Sequence, residues 1–447
     1  MVPMETLKSL STSKTRYRKR REQLMDAVGE NGIVIVSAAA EKIRSRDTHF
    51  AYRQDSDLLY LTGLQEPDSV LVLVPGRMHG EVLLFCRERD PKREAWDGPR
   101  LGPEGAVDAL DLDDAYPIAD IDDILPGLIE GRSCIYAHYG RDSEFDARLM
   151  SWINRTRKMM HMGNPPPREL LDLSVLINEQ RLFKDRDELA LMQRAADISV
   201  MAHQHAMRSV QPGLYEYQLQ AELERVFKWH NATPAYTSIV GAGANGCVLH
   251  YVANQARIGR NDLVLIDAGA EYQGYASDIT RTFPASGKYS RAQRALHDIV
   301  HQANRAALAQ VKPGASYDLQ HKAAVETLTE GLLRLGLLKG KLETNLRNET
   351  YKTFYPHKTG HWIGLDTHDV GDYRIDRESR VLEPGMVFTI EPGLYIPTDA
   401  NVDAKWRGIG IRIEDDVLVT ADGYQVLTDA LVRDAESTEA FMAESAA

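Results

Sequence analysis

A pattern of helix, Pro-Gly break, helix and strands occurs twice in the second part of this 447-residue chain. Residues from about 185 to 229 have the spacing of two helices interrupted at Pro212–Gly213, and residues from about 290 to 338 repeat this with a break at Pro313–Gly314. The letters also match, since VQPGLYEYQLQ is followed 101 residues later by VKPGASYDLQ. We therefore predict an internal pseudo-twofold duplication, in which the strands of both halves form one curved antiparallel sheet with the helices outside it.

The first 160 or so residues have a different pattern, in which short β-rich runs alternate with polar, helix-compatible segments. The expected strands are GIVIVSAA, SVLVLVPG, EVLLFCRE and SCIYAHY. Three consecutive prolines at positions 165–167 cannot continue a helix and mark a loop. We predict an N-terminal α/β domain over residues 1–175 and a duplicated α+β domain over residues 176–447.

Three carboxylates of the duplicated domain lie within apolar, strand-like runs. Asp267 ends DLVLID, Glu391 follows MVFTI, and Glu414 follows GIGIRI. An isolated buried carboxylate is so costly that such groups normally neutralise, pair or bind a cation. With Asp278 and His361 they make a set of oxygen and imidazole donors that is typical of a metal site. The first half of the duplication supplies two of the five donors and the second half supplies three, so we expect the site where the halves meet.

The composition of this donor set indicates its chemistry. Carboxylates with a single imidazole are hard ligands, which suit Mn²⁺, Co²⁺, Fe²⁺ or Zn²⁺ in a two-metal site better than a closed structural zinc site. Two such ions acidify a shared water and polarise a carbonyl, so the set predicts metal-assisted hydrolysis. Arg412 lies two residues before Glu414 and shares its strand face, so we expect it to orient that carboxylate. On the pattern alone, Asp278 is equally compatible with an ordinary surface position, because it lies in a polar stretch.

A group of histidines favours a catalytic site. His357, His361 and His368 lie within twelve residues, and His250 lies upstream in CVLHYV. Flanking glycines and a proline argue against a helix here, and therefore against a zinc protease of the HExxH type.

Composition and motif context exclude other classes of function. A net charge of −12 does not suit a nucleic-acid-binding surface. The sequence has no apolar run of about eighteen residues that would span a membrane. GAGANG matches a dinucleotide-binding fingerprint, but strand-like CVLHYV follows it where a helix is needed. Three scattered cysteines, and an N-terminal region without an apolar core, predict a cytoplasmic location.

Several segments together resemble one known family: LVLIDAGAEYQGYASDITRTFP, HKTGHWIGLDTHDVGDY, LEPGMVFTIEPGLY and RGIGIRIEDDVLVT. They closely resemble the bacterial Xaa-Pro aminopeptidase (aminopeptidase P) family, whose creatinase-like or pita-bread fold is shared with prolidase and methionine aminopeptidase. YRQDSDLLYLTGLQEPDSVLVL and EAWDGPRLG extend the resemblance over nearly the whole chain. It implies a metal-dependent aminopeptidase that hydrolyses the bond between an N-terminal residue and a following proline.

Carried over by position, the resemblance implies a dinuclear centre, usually of Mn²⁺, with Asp267, Asp278, His361, Glu391 and Glu414 as its ligands. Asp278 and Glu414 would bridge the two ions. Glu391 would also pass protons from the attacking water toward the leaving amine. The sequence does not depart from the family pattern at these positions, so we expect an active enzyme.

The resemblance implies supporting roles for further residues. His250 and His368 would position the substrate and stabilise the tetrahedral intermediate, and His357 and Arg412 would be polar supports near the metals. Trp96 corresponds to a tryptophan that a neighbouring subunit contributes to the substrate pocket, which agrees with the homodimers or homotetramers of the family. The sequence is equally compatible with Trp96 being an ordinary loop tryptophan that packs within its own subunit.

Two alternatives use the same fold. Prolidase, a dipeptidase for Xaa-Pro substrates, shares the metal ligands, and only the N-terminal segments favour the aminopeptidase over it. A non-catalytic pita-bread module that binds peptides or partner proteins is the other alternative, and retention of all the ligands argues against it.

Overall fold

The computed structural model describes residues 4–162 and 165–444. The chain divides into two compact units, Met1–Gln180 and Arg181–Ala447. The division falls close to the boundary predicted near residue 175, and the exact domain limits remain a prediction.

The first unit alternates helices with strands. Its helices are α1 (Met4–Val28), α2 (Ser56–Thr62), α3 (Pro91–Asp97), α4 (Gly102–Leu110), α5 (Ile121–Ile129) and α6 (Ser143–Met159), with α7 (Ser174–Leu182) at the division. Its strands are β1 (Gly32–Ser37), β2 (Ile43–Ser45), β3 (Thr48–His49), β4 (Val70–Leu73), β5 (Val82–Cys86), β6 (Asp114–Pro117), β7 (Cys134–Ala137) and β8 (Glu169–Asp172). The runs predicted as strands correspond to β1, β4, β5 and β7, which confirms the α/β class of this unit.

One mixed sheet, with the strand order β6-β5-β4-β1-β7-β8, organises the first unit. β1 is parallel to β7 and antiparallel to β4. Every residue of β4 and β5 is buried, as continuous runs of Val, Leu and Phe require. The short β2–β3 pair stands apart from this sheet and is exposed.

The second unit contains the duplicated segments. Its helices are α8 (Arg186–Ser209), α9 (Glu216–Trp229), α10 (Arg291–Leu308), α11 (Asp318–Arg334), α12 (Leu342–Arg347) and α13 (Ala435–Glu444). Its strands are β9 (Thr233–Pro234), β10 (Ile239–Ala242), β11 (Leu263–Asp267), β12 (Ala270–Tyr272), β13 (Tyr275–Ala276), β14 (Thr280–Pro284), β15 (Arg374–Ile375), β16 (Glu378–Ser379), β17 (Val387–Ile390), β18 (Gly393–Ile396), β19 (Ile409–Arg412), β20 (Asp415–Val419) and β21 (Tyr424–Val426).

The predicted helix breaks occur at equivalent positions in the two halves. Pro212–Gly213 separates α8 from α9, and Pro313–Gly314 separates α10 from α11. Gly213 has φ +102° and Gly314 has φ +81°, a backbone region that residues with a Cβ rarely adopt. Each Pro-Gly pair therefore ends one helix and turns the chain into the next, and each helix pair is followed by antiparallel strands.

The antiparallel strands predicted for the second unit are present, but their ladders form several short sheets. The main ones are β10-β11-β14, β17-β20-β21 and β18-β19. Regular pairing stops where the proposed ligands lie: Glu391 separates β17 from β18, and Glu414 separates β19 from β20. At both places the backbone bonds to other segments: the Glu391 N–H donates to the carbonyl of Thr359 at 2.8 Å, and the Glu414 N–H donates to that of Thr280 at 3.0 Å.

The helices bury apolar faces against these strands. The face predicted on α9, comprising Leu219, Leu223, Val226 and Phe227, is buried. It belongs to a core that also contains Val264 and Ile266 of β11. In the described parts of the chain, none of the helices has the length and apolar character needed to cross a bilayer.

Candidate functional site

The first pair of predicted ligands lies on either side of a β-hairpin. Asp267 is the last residue of β11 and is paired in register with Thr280 of β14, and Asp278 lies two residues before Thr280. The hairpin between the two acids, β12–β13, turns at Gln273 and Gly274, which both have positive φ. That geometry is the two-residue turn that matches strand twist. The hairpin therefore returns the chain so that both acids lie on one side of the second unit.

The second half of the duplication places its acids in a similar way. Glu391 follows β17 directly, and Glu414 lies between β19 and β20. On one side of the two glutamates Ile390 pairs with Asp415, and on the other side β18 pairs with β19. The two glutamates are therefore neighbours across adjacent strands.

Three of the predicted ligands form a compact cluster. Asp278, His361 and Glu414 each offer one ligand atom, and these atoms all lie within 4.8 Å of one another. His361 Nε2 lies 3.5 Å from Asp278 Oδ2 and 3.9 Å from Glu391 Oε1. The His361 Nδ1–H donates to the carbonyl of Trp362 at 3.0 Å, which leaves the lone pair of Nε2 available to a metal.

The fourth acid joins the cluster through a tyrosine. The Tyr236 hydroxyl lies 2.6 Å from Asp267 Oδ1 and 2.5 Å from Asp278 Oδ1. Asp267 and Asp278 are thus held close together, as the sequence predicts for a pair that shares a cation. Tyr236 was not predicted from the sequence, because a single tyrosine in PAYTSIV carries no periodic or compositional signal.

The electrostatics of the cluster fit divalent cations. Burial raises the pKa of Asp267, raises that of Glu391 to about 7, and with the charge of Asp278 raises that of Glu414 well above its usual range. Burial lowers the pKa of His361, but Asp278 and Glu391 more than offset this and raise it to about 9. Buried carboxylates therefore outnumber the nearby cationic groups, and divalent cations would balance this charge with the hard donors that they prefer.

Arg412 supports the site differently from the sequence expectation. Its Nη2 bonds to Asp267, while its Nε donates to the Thr280 hydroxyl at 3.0 Å. The Thr280 hydroxyl in turn donates to Glu414 Oε2 at 2.6 Å. Arg412 therefore holds Asp267 directly and reaches Glu414 only through Thr280, because the chain crosses from β19 to β20 between Arg412 and Glu414.

Arg412 is also connected to His357, one of the predicted site histidines, through the hydroxyl of Tyr395. Arg412 Nη1 donates to the Tyr395 hydroxyl at 2.9 Å, and that hydroxyl lies 2.9 Å from His357 Nε2. His357 Nδ1 lies 2.7 Å from the carbonyl of Lys358, so the tyrosine donates to Nε2. Burial and then Arg412 lower the pKa of His357 to about 3, so the ring is neutral. Its Nδ1 lies 3.7 Å from Glu391 Oε2.

The remaining predicted histidines lie near the cluster. The ring of His368 packs edge-to-face on that of His361 with centroids 4.3 Å apart. His250 is exposed, and it lies close enough to His357 and His368 to act on both electrostatically. Burial, followed by the charge of His361, lowers the pKa of His368. Trp96 belongs to α3 of the first unit, and its side chain is 88% exposed. The segment EAWDGPRLG is thus partly helical, where the sequence predicted a loop.

Asp416 is a further buried acid, and it contacts the backbone segment that carries Asp278. Asp416 accepts a hydrogen bond from the Ser277 hydroxyl at 2.7 Å and lies 3.2 Å from the backbone N–H of Asp278. Burial and the charge of Asp278 raise the pKa of Asp416 well above its usual range. Asp416 lies in β20, two residues after Glu414, and a second acid in that apolar run was a signal available in the sequence.

Comparison with known proteins agrees with this geometry. The family description "Metallopeptidase family M24" matches residues 190–421, and "Aminopeptidase P, N-terminal domain" matches residues 17–136. The Xaa-Pro aminopeptidase of Escherichia coli is 42% identical over 96% of this chain and 98% of its own length. That of Haemophilus influenzae is 37% identical over 98% of this chain and its full length.

The chain belongs to metallopeptidase family M24. Solved structures of this family have the same fold. The aminopeptidase PepP of Pseudomonas aeruginosa superposes with a TM-score of 0.96, at 52% identity over 97% of this chain and 98% of its own. A variant of Escherichia coli aminopeptidase P in complex with substrate gives 0.94, at 41% identity over 97% and 99% of the two chains.

These relatives confirm the pita-bread fold preceded by an α/β domain, and they make this M24 protein a metal-dependent aminopeptidase, a hydrolase that binds divalent metal and acts on peptides. They favour aminopeptidase activity over the prolidase alternative. The non-catalytic module is disfavoured, since the relatives are enzymes over the full length of the chain.

Proposed function

We propose that this M24 enzyme removes the N-terminal residue of peptides whose second residue is proline, with two divalent cations held by Asp267, Asp278, His361, Glu391 and Glu414. The convergence of ligand atoms from Asp278, His361 and Glu414 within 4.8 Å carries this proposal. Two relatives, at 42% and 37% identity, are named Xaa-Pro aminopeptidase, which supports the substrate class.

The metals are proposed to be Mn²⁺, with Co²⁺, Fe²⁺ or Zn²⁺ as possible replacements, because the donors are mostly carboxylates. A neighbour of the same fold is described as zinc-substituted Escherichia coli aminopeptidase P in complex with product. Asp278 and Glu414 would hold the ions together with His361, since their ligand atoms all lie within 4.8 Å of one another. When bound, such ions acidify a shared water and polarise the scissile carbonyl.

Proton transfer is assigned to Glu391. Proline makes the scissile amide tertiary, so its nitrogen carries no hydrogen and must gain a proton to leave as an amine. Glu391 takes the proton from the attacking water and delivers it to that nitrogen. The proximity of His361 Nε2, 3.9 Å from Glu391 Oε1, keeps this carboxylate beside the ligand cluster.

The histidines stabilise the charge that develops on the carbonyl oxygen. His368 and His250 are proposed to donate hydrogen bonds to this oxygen as it becomes an oxyanion. His357 is neutral and accepts a hydrogen bond from Tyr395, which in turn accepts one from Arg412. We assign these residues the role of fixing the polar side chains next to the metal ligands. His368 and His250 would thus contact the reacting carbonyl, whereas His357 and Arg412 would support the residues around it.

Substrate selection and assembly follow from the same proposal. Trp96, 88% exposed, is proposed to cover the proline ring in a neighbouring copy of a homodimer or homotetramer. The cysteines of the described chain, Cys86, Cys134 and Cys247, are all unpaired, which supports a cytoplasmic enzyme.

An assay with Mn²⁺-loaded protein tests the function. We expect release of the first residue from an Xaa-Pro-Xaa tripeptide, loss of that activity on chelation, and its recovery when Mn²⁺ is added back. A peptide with alanine at the second position is the specificity control and should react far more slowly. Cleavage of an Xaa-Pro dipeptide alone would instead indicate a prolidase, and turnover that survives full removal of metal would overturn the metal mechanism.

A further inference from the structure

A buried group of charges lies beside the loop that carries His361 and His368. Asp369, which follows His368 directly, has its Oδ1 2.6 Å from Arg181 Nη2 and its Oδ2 2.9 Å from Lys184 Nζ. The Lys184 and Asp369 side chains are each 1% exposed, and that of Arg181 is 3% exposed. Both cations stand at the start of the second unit, whereas Asp369 belongs to its second half.

These charges are paired rather than isolated. Arg181 Nη2 also lies 2.8 Å from Asp366 Oδ2, so two cations face two carboxylates. Burial would raise the pKa of Asp369, but Lys184 and Arg181 more than offset this and hold it below its usual range, so the carboxylate is ionised. Ion pairs this deeply buried are favourable only in a fixed geometry, and removal of one partner leaves an uncompensated charge.

The same carboxylate residue is tied to the metal-site loop through its backbone. The Asp369 N–H donates to the carbonyl of Trp362 at 2.9 Å. That carbonyl also accepts the Nδ1–H of His361 at 3.0 Å. The orientation of the His361 ring and the position of Asp369 therefore depend on one carbonyl group, and His368 lies between them in the chain.

The loop is packed tightly on the ion pair. A Cβ at Gly364 would lie 2.2 Å from Asp369 Oδ2 and 2.9 Å from Lys184 Cε. The carbonyl of Gly364 accepts a hydrogen bond from the N–H of Ala276, two residues before Asp278. The loop is thus fixed between the ion pair on one side and the strand leading to the first-half ligands on the other.

We propose that Lys184 and Arg181 are positioning residues that act through Asp369 to hold His368 beside the metal cluster and the His361 ring in its metal-facing orientation. The kinetic consequence rests on the proposed hydrolysis of Xaa-Pro peptides. Loss of the Lys184 charge releases the loop while it leaves all five proposed metal ligands in the chain. His368 is assigned to the transition state, so its displacement lowers kcat and kcat/KM together and changes KM little.

Lys184→Met tests the proposal, because it keeps the length of the side chain and removes its charge. We expect kcat on an Xaa-Pro-Xaa peptide to fall about 10- to 100-fold, as a displacement of about 1 Å in a catalytic group can cause. At saturating Mn²⁺, KM should stay near wild type and Lys184→Arg should restore part of kcat. The affinity for Mn²⁺ should fall, because the His361 ring is no longer held in its orientation. A crystal structure of Lys184→Met should show the His361 and His368 rings moved from their 4.3 Å centroid separation.

Arg21→Met is the matched control. Arg21 is a buried cation of the first unit, 1% exposed, that donates to the carbonyls of Leu61 and Asp111. It should lower the thermal midpoint and leave kcat per folded molecule unchanged. If Lys184→Met is insoluble, Asp369→Asn, which has the same shape without the charge, gives the same readouts.

A wild-type kcat in a folded Lys184→Met protein, or His361 and His368 rings unmoved in its crystal structure, overturns the positioning role. Failure of the wild-type enzyme on every Xaa-Pro peptide would overturn the proposed function instead. The ring separation in the variant crystals would still decide the positioning role in that case.

Discussion

The hydroxyl of Tyr236 lies 2.6 Å from Oδ1 of Asp267, and the tyrosine side chain is half-buried. The Tyr236 hydroxyl also lies 2.5 Å from Oδ1 of Asp278, so one phenol contacts both proposed ligands of the first half. Groups that hydrogen-bond to metal ligands orient them, and their loss typically weakens metal binding about 10- to 100-fold. Tyr236 is therefore expected to set the spacing of the aspartate pair.

We predict that Tyr236→Phe weakens Mn²⁺ binding by about 10- to 100-fold with a small change in thermal midpoint, because only the hydroxyl is lost. Calorimetric titration of the metal-free protein with Mn²⁺ measures the affinity. Tyr275→Phe is a matched control, since Tyr275 is buried and donates to Glu188, which is not a proposed ligand. Equal effects of the two substitutions would contradict a specific role for Tyr236.

Arg412 provides a second prediction, because its bonds to Asp267, Thr280 and Tyr395 need the planar fork of a guanidinium. Arg412→Lys keeps the charge but cannot make all three bonds, so kcat/KM is expected to fall by about two orders of magnitude. Arg412→Met leaves Asp267 without its cation and is expected to destabilise the metal-free protein by about 3–5 kcal/mol. Steady-state kinetics and denaturant unfolding measure the two effects. Wild-type kinetics in Arg412→Lys would show that the activity does not need the three hydrogen bonds of the guanidinium.

The limits of prediction from sequence follow from how the site is built. Asp267, Glu391 and Glu414 were identifiable because a charge in an apolar strand is conspicuous within a few residues of sequence. Tyr236 was not identifiable, since its partner Asp267 lies 31 residues away and contact depends on how β10 pairs with β11. The pairing of Lys184 with Asp369 spans 185 residues and likewise leaves no local pattern.

In the fold, too, features with a local sequence signal were predicted and features that depend on distant residues were not. The Pro-Gly breaks and apolar faces are local signals, so the duplicated helix pairs were predicted with their order and approximate limits. The separation of the strands into short sheets was not predicted, because it arises where the proposed ligand residues interrupt the ladders. Arg412 was assigned to Glu414 from strand alternation, and the interruption between β19 and β20 gives it Asp267 instead.

Buried His297 of α10 makes stability depend on pH. Burial is the main cause that lowers its pKa to about 3, against about 6.5 in an unfolded chain. The groups that act on it are His301 and Arg294 of the same helix and, from other segments, Asp434 and Arg281. Below about pH 6.5 the unfolded chain binds a proton that the folded chain does not, so stability falls as pH decreases toward 3.

We predict that His297→Gln reduces the acid-induced loss of stability by up to about 1.4 kcal/mol per pH unit between pH 6 and pH 4, the contribution of one proton. Thermal midpoints measured over this range give the slope. His79→Gln is the control, since His79 is exposed in the first unit. An unchanged slope in His297→Gln would mean that this imidazole does not remain neutral in the folded protein.

The backbone beside the first-half ligands has no room for a side chain at Gly269. A Cβ there would lie 1.6 Å from the carbonyl oxygen of Ser277 and 3.2 Å from the nitrogen of Asp278. Gly269→Ala must therefore move the segment that carries Asp278. We predict a loss of about 1–3 kcal/mol of stability, as overpacking causes, together with weaker Mn²⁺ binding.

Gly127→Ala separates this effect from a general response to alanine. Gly127 lies in α5, and a Cβ there would have no atom within 4 Å, so alanine is expected to stabilise the helix by about 0.5–1 kcal/mol and leave metal binding unchanged. Denaturant unfolding and Mn²⁺ titration of both variants measure the contrast. Because the close approach at Gly269 involves the backbone of Asp278, a proposed ligand, the loss of stability and the loss of Mn²⁺ affinity in Gly269→Ala should occur together. A Gly269→Ala protein that loses stability but binds Mn²⁺ normally would show that Asp278 is held independently of its own backbone segment.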